Sequence, residues 1–488
     1  MKKVLFLIIC LIPLGSWHII LSQSEGKIQF NSSDPELTEA FNWAKEEALS
    51  YAHSNDPVGP WYEAALPGRD AFCMRDVSHQ SLGAAMLGLS LQNKNMFHKF
   101  AQNISESKDY CSYWEINKIN KPAPVDYEND KDFWYNLPAN FDVIYNCYRQ
   151  YMWTGDSTYL NHPDFINFYE TSLTEYVDRW DLAYDKVTSR DRLVNIESPD
   201  SPSQSRFYSK RGIPTYNEGG KGETLLGLDM TASLIAAYQA YASILRLKGE
   251  EKMASNIEKR ADLEKNFLED FWWDELKEEY RSILYEDHSF DYFMVGDNQA
   301  FTHYLLYFKA IDNKDRIKSI MKNYIANHDK LIVELKSYLP ILFYENGNSD
   351  IANELLISLC SENNKRRSYP ENSYTVIESF VAGLMGVEVN ASKHELSTIS
   401  RINEEKKWAE LSDLPVLSGS VTIRHKGNSK TSLSNSSTNI INWKANFKGR
   451  HNMLYINGIA FKSKQIKGGS ASFIEIKILP GQTITVSI

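Results

Sequence analysis

Cysteine is scarce in this 488-residue chain and never closely spaced. Beyond the N-terminal segment only Cys73, Cys111, Cys147 and Cys360 occur. No Cys-x-x-Cys pair is present, which excludes a zinc ribbon and a thioredoxin-like redox site. Whether these four form a disulfide or remain buried free thiols is left open by their spacing. His-Glu-x-x-His, P-loop, Gly-x-Ser-x-Gly and dinucleotide fingerprints are also missing, so metalloprotease, nucleotide and esterase chemistry lack support. Low-complexity tracts are absent. After the N-terminus no run of about 18 apolar residues exists, so no later segment is expected to span a bilayer. No basic helix or aromatic-basic motif points to nucleic acid.

What is present begins with "MKKVLFLIICLIPLGSWHIILSQ", two lysines before a short apolar stretch. This reads as a signal peptide over residues 1–23, predicting an exported protein, periplasmic or secreted, with no membrane span after cleavage. Cys10 follows the bulky Ile9 and is not expected to be lipidated. Charge is unevenly distributed. The formal net charge is −10, yet residues 412–488 hold ten Lys+Arg and two Asp+Glu, a balance of +8 that leaves −18 for the rest. A basic module on an acidic body can hold an anionic ligand or complement the body itself. Aromatics are abundant, with 28 Tyr, 22 Phe and 11 Trp; most must fill a core, but flat ring faces also suit sugar rings.

From Asp34 to Leu411 the grammar is helical. "DPELTEAFNWAKEEALSYA" opens on a capping Asp-Pro and spaces its apolar residues by three and four. "ETLLGLDMTASLIAAYQAYASILRLKG" predicts a long Ala-rich helix closing at Gly249, and "NQAFTHYLLYFKAID" and "DRIKSIMKNYIANHD" continue the series. After Leu411, "SGSVTIRHKG", "NIINWKANF", "SFIEIKILP" and "TITVSI" are short β-rich runs between Gly, Asn, Ser and Pro. The expected organisation is a helical domain over 34–411 and a small all-β, sandwich-like domain over 412–488. Scarce alternation in the helical part argues against a parallel α/β sheet.

Several stretches resemble the six-hairpin glycosidases: "EKNFLEDFWWDELKEEYRS" (264–282), "DMTASLIAAYQAYASILRLKGEEKMASNIEKRA", "YRQYMWTGDSTYL" (148–160) and "IESFVAGLMGVEVN" (377–390). The resemblance covers roughly residues 34–411 and implies an (α/α)6 barrel, mainly α, acting on carbohydrate. It does not fix the reaction. In such barrels substrate sits among loops at one end of the hairpins, so polar residues predicted in loops are the candidates.

"PGRDAFCMRDVSHQ" (67–80) places two Arg-Asp pairs and a His before the apolar "SLGAAMLGLSL". "MRDVSHQ" resembles a loop by which some inverting exo-glycosidases of this class hold the terminal sugar. The resemblance implies that Arg75 and Asp76 bind hydroxyls, with Arg69, Asp70 and His79 nearby. The bland alternative is a buried Arg-Asp brace. A second segment, "RFYSKRGIPTYNEGGKGETLLGLD" (206–229), gathers Arg211, Tyr216, Asn217, Glu218 and Glu223, with glycines that permit close backbone approach. Glu223 suits a helix N-terminus, which leaves Glu218 as the preferred catalytic carboxylate. A third, "KRRSYPENSYTVIES" (365–379), offers Glu371 in a loop after Pro370 and Glu378 inside a helix. Asp297 in "YFMVGDNQAF" reads as a helix cap. "DYENDKDFWYNLPAN" (126–140) alternates acids but lacks the glycine and distal Glu of a calcium loop; Trp134 and Tyr135 there are expected to stack on sugar. No metal or cofactor is expected.

The preferred reading is a glycoside hydrolase, in which one carboxylic acid protonates the leaving oxygen and a second carboxylate activates water or attacks. Glu218 and Glu371 are the expected pair, with Asp76 in reserve. The alternative is β-elimination from uronic-acid sugars by a lyase or dehydratase. Tyr216 or His79 would then serve as base, and Arg69, Arg75, Arg211 and Asn217 would stabilise an enolate-like intermediate. A poly- or oligosaccharide, anionic in the second case, is the expected partner. A non-catalytic sugar-binding protein is disfavoured by the density of ionisable residues in the predicted loops.

Overall fold

The computed structural model describes residues 25–190, 211–217, 224–293, 301–466 and 469–488. Eleven helices of seven or more residues stand among them. They are α1 (Pro35–Ser50), α2 (Met74–Met86), α3 (Ser90–Gln102), α4 (Ala139–Thr154), α5 (Pro163–Leu173), α6 (Leu228–Leu247), α7 (Glu251–Phe267), α8 (Lys314–Asn327), α9 (Leu339–Glu345), α10 (Ser349–Cys360) and α11 (Pro370–Glu378). They build a helical barrel, with a β region against it.

The sequence sorts the helices into two layers. Every residue of α11 is buried, as is every residue of α2 except Arg75, and α6 is buried along most of its length. Of these, α6 is apolar nearly all round, as an inner helix should be, whereas α2 and α11 bury polar side chains as well. These pack in the order α11, α2, α4, α6. By contrast α7, which packs on α6, buries only Ala254, Ala261 and Glu264, and α3 and α10 are likewise one-sided.

The inner helices approach closely where α2 carries Gly83. A Cβ there would overlap the backbone carbonyl of Tyr374 on α11, and neither backbone can yield. This contact sets the separation of the two helices that bear His79 and Glu371. Gly83→Ala is expected to destabilise the fold by about 3 kcal/mol, since overpacking displaces backbone rather than a flexible side chain. Thermal or denaturant unfolding measures it.

Strands dominate from Glu388 onward. One sheet has seven strands in the order Gln29–Ser32, Trp408–Val416, Gly419–Lys426, Lys430–Asn435, Thr483–Ser487, Met453–Ile456, Ile459–Lys462. The other has five: Glu388–Asn390, Glu395–Ile399, Ile441–Lys448, Ala471–Ile478 and Lys464–Gln465. The first sheet thus recruits Gln29–Ser32 from the far end of the chain, pairing Phe30 with Leu411. Polar bonds tie the sheets to the barrel. Trp153 Nε1 donates to the Pro415 carbonyl at 3.0 Å, and His425 Nε2 stands 3.0 Å from the Met385 carbonyl.

Three local expectations change. Thr224–Gly227 is a strand, paired with Ile283–Tyr285, and α6 begins only at Leu228. Gly227 marks the break; it packs so closely on Thr215 and Asp229 that no side chain fits. Among the described residues of "NQAFTHYLLYFKAID", which start at Phe301, the helix covers only His303–Tyr307. Asp76 and His79 lie on α2 rather than in a loop, because the apolar face of that helix already starts at Met74 and Val77. Cys73, Cys111, Cys147 and Cys360 are buried and form no disulfide with one another.

Candidate active site

A cavity of about 440 Å³ opens among the segments that lead into the inner helices. Its polar lining is mostly acidic: Asp76, Glu115, Asp126, Glu334 and Glu371 against Arg69 and Arg75. Trp114, Trp134, Tyr216, Tyr304, Tyr338 and Tyr369 supply aromatic walls.

Glu371 occupies the first turn of α11, where Pro370 sets the helix start; the helical N-terminus replaces the loop expected there. The side chain is 1% exposed, and its Oε1 bonds His79 Nδ1. Its Oε2 is buried and has no hydrogen-bond partner among the described residues. Burial pushes the carboxyl up to about 7; Arg75 opposes the shift and Glu334 adds to it. Burial also pushes His79 well below its usual range, so the imidazole is neutral. A neutral imidazole protonated on Nδ1 donates to Oε1 and leaves the acid proton of Glu371 to Oε2. His79 is further fixed by face-to-face stacking on Tyr338, with centroids 3.3 Å apart. His79 therefore stands behind the cavity wall, against Glu371, rather than among the lining groups.

Asp76 accepts from Arg75 Nε at 3.2 Å and from the Tyr369 hydroxyl at 3.2 Å. Burial raises it to about 7 despite Arg75, with the Glu371 charge adding to the rise. Arg75 also lies over the Tyr216 ring at 5.7 Å.

On another part of the lining, Arg69 Nη1 holds Glu115 Oε2 at 2.6 Å and Asp126 Oδ2 at 3.7 Å. Burial, then hydrogen bonding and repulsion from Asp126, raise Glu115 to about 8 against the pull of Arg69. The burial of Glu115 and its contact with Asp126 thus favour its protonated form. Glu115 comes from a short strand, Glu115–Asn117, paired with Ala71–Cys73. Neither Glu115 nor the role of Asp126 was evident in the sequence. The available signal was an acid inside "SYWEIN", between apolar residues.

The remaining expected residues divide. Trp134, Asn217 and Tyr216 line the cavity, but the phenol of Tyr216 donates to Asp142 Oδ2 at 2.5 Å. Burial and the Asp142 charge push that phenol well above its ordinary range. Asp229 secures the same loop, accepting from the Tyr216 N–H at 2.6 Å and the Thr215 hydroxyl at 2.8 Å. Asp70 turns away: its φ is +53°, and it pairs with Lys118 at 2.7 Å on a half-exposed surface. Tyr135 is buried, bonded to Asn140 Oδ1 at 2.5 Å, and does not line the cavity. Glu378 pairs with Arg149 at 2.5 Å. Glu218, Glu223, Asp297 and the side chain of Arg211 lie outside the described residues.

No protein-family model matches the chain, and no curated protein matches it. Solved structures do. An alpha-L-rhamnosidase from Dictyoglumus thermophilum superposes over 95% of this chain with a TM-score of 0.62 at 13% identity. The chain shares the fold of that structure. A GH78 family rhamnosidase of Bacillus SP. GL1 matches over 83% of the chain, with a TM-score of 0.55 and 11% identity. A putative kojibiose phosphorylase from human microbiome matches over 94%, with a TM-score of 0.53 and 12% identity. The chain spans 51%, 40% and 61% of those proteins respectively. At such identities the likeness establishes architecture and not reaction.

Proposed function

We propose that this protein is an exported glycoside hydrolase, built on an (α/α)6 barrel with the β region that begins near Glu388, rather than after Leu411, as accessory. The observation that carries the reading is Glu371, a buried carboxyl raised to about 7 whose unpartnered oxygen belongs to a residue lining the cavity. Such a group keeps its proton near neutral pH and can deliver it to a glycosidic oxygen. His79 is its positioning residue. The Glu115–Asp126 pair under Arg69 supplies the second carboxylate. Glu218 is the other candidate, because the adjacent Asn217 lines the cavity. Aromatic walls suit the apolar faces of a sugar ring, and Asp76 with Arg75 suits its hydroxyls. Export is supported by residues 1–23, which lie outside the described residues. No described helix is long and apolar enough to cross a membrane.

Elimination fits this site less well. Tyr216 is bonded to Asp142 rather than poised as a base. A glycan panel tests the choice. Release of new reducing ends without a conjugated double bond is expected, and Tyr216→Phe should retain activity within about tenfold because its phenol is not in the reaction. Ultraviolet absorbance from an unsaturated product, lost in Tyr216→Phe, would refute hydrolysis.

A further inference from the structure

Away from the cavity, α3 and α5 bring His98, His162 and Asp164 together at a half-exposed seam. We propose that these three side chains bind a divalent transition metal of the zinc type, which clips α5 to α3.

His98 projects from α3 toward the start of α5. Pro163 fixes that start, so His162 at the cap and Asp164 in the first turn emerge from one bend. Asp164 Oδ2 stands 2.7 Å from His98 Nε2 and 3.9 Å from His162 Nδ1. A donor atom from each residue lies within 4.8 Å of the other two. Tetrahedral zinc with bonds of about 2.0–2.2 Å separates its donors by about 3.4 Å. The two measured edges straddle that value and the third does not exceed 4.8 Å, so side-chain rotation can bring all three onto one ion. His162 then gives up only the 3.3 Å bond it accepts from the Asp164 N–H.

The surroundings favour this fit. The two imidazoles meet edge to face, with centroids 4.7 Å apart at 78°, so neither ring covers the other's donor nitrogen. Phe165 backs both, at 5.8 and 6.2 Å. Two imidazoles and one carboxylate form a borderline donor set that selects zinc over calcium or magnesium, which require oxygen ligands. Side-chain exposures of 31–42% let the ion enter from solvent, and three protein ligands leave a fourth position for water. Such a clip joins segments far apart in sequence, so binding stabilises the folded chain.

The test uses the full chain stripped with chelator and titrated calorimetrically with zinc, with native mass spectrometry for stoichiometry. One ion per chain is expected, together with a rise in the unfolding midpoint of about 2–3 °C at zinc near 100 times Kd. Cobalt should give the visible absorption of four-coordinate geometry. His98→Ala and the near-isosteric Asp164→Asn should each weaken zinc at least ~10-fold, more than loss of a group outside the ligand set. His288→Ala, at an exposed turn, should leave it unchanged. Absence of saturable zinc binding, or native affinity retained in both ligand variants with circular dichroism unchanged, would overturn the proposal. Neither outcome depends on glycosidase activity.

Discussion

Glu371→Gln is expected to reduce kcat by about 10²–10⁴-fold on natural glycosides, the range for removing a positioned general acid. Two further readouts separate this from structural damage. The buried carboxyl is already protonated below about 7, so the neutral amide reproduces the native charge state at acidic pH. Stability should change little only below the unfolded carboxyl value of about 4.3, and the difference should grow from there to pH 7. Above pH 7 the variant should be the more stable protein. A carboxyl whose folded value lies above its unfolded value gives stability that is present at low pH and lost as pH rises through about 7; glutamine removes that loss. Activated aryl glycosides, whose leaving groups need no proton, should recover most of the lost rate. The native enzyme should show a falling alkaline limb in kcat near pH 7. Unchanged turnover of natural substrate in Glu371→Gln would remove the acid role.

Asp126→Asn is expected to lower kcat by about 10²–10³-fold, and Glu115→Gln by a similar amount. Arg69 holds both carboxyls, and Asp126 adds to the rise of Glu115. The altered pair should therefore show a displaced acid limb in its pH–rate profile, because a raised carboxyl relaxes when its like-charged neighbour is gone. A variant that loses rate with an unmoved profile would make the pair a brace for Arg69 instead. If both variants keep full activity while Glu218→Gln loses it, the second carboxylate is Glu218.

The layered helices were legible because burial leaves a plain trace. α6 reads as apolar almost all round and α1 as one-sided, and a switch to short β runs is visible, although the sheets begin at Glu388 rather than after Leu411. The recruitment of Gln29–Ser32 into the large sheet was not, since a four-residue strand has no periodicity of its own and its partner lies at the other end of the chain. The site was half legible. "MRDVSHQ" and "YPENSY" both reach the cavity, yet both were placed in loops, because a helix N-terminus and a polar loop share the same residue types. His79 was expected beside substrate and proved to stand behind Glu371. Nothing in one segment reveals that α2 and α11 meet at Gly83. Asp70 was lost to a left-handed backbone, which turned it to Lys118. Glu115 was overlooked because a three-residue strand gives almost no signal, and its meeting with Arg69 depends on pairing across the fold.

The most direct test of the hydrolase reading is turnover in water enriched in the heavy oxygen isotope, on whichever glycan of a broad panel is cleaved, with products weighed by mass spectrometry. The heavy oxygen is expected in the newly freed sugar end, one atom per bond broken, with no incorporation beyond background in Glu371→Gln. Products whose masses sum to that of the substrate, with no heavy oxygen retained, would show elimination and contradict the assignment.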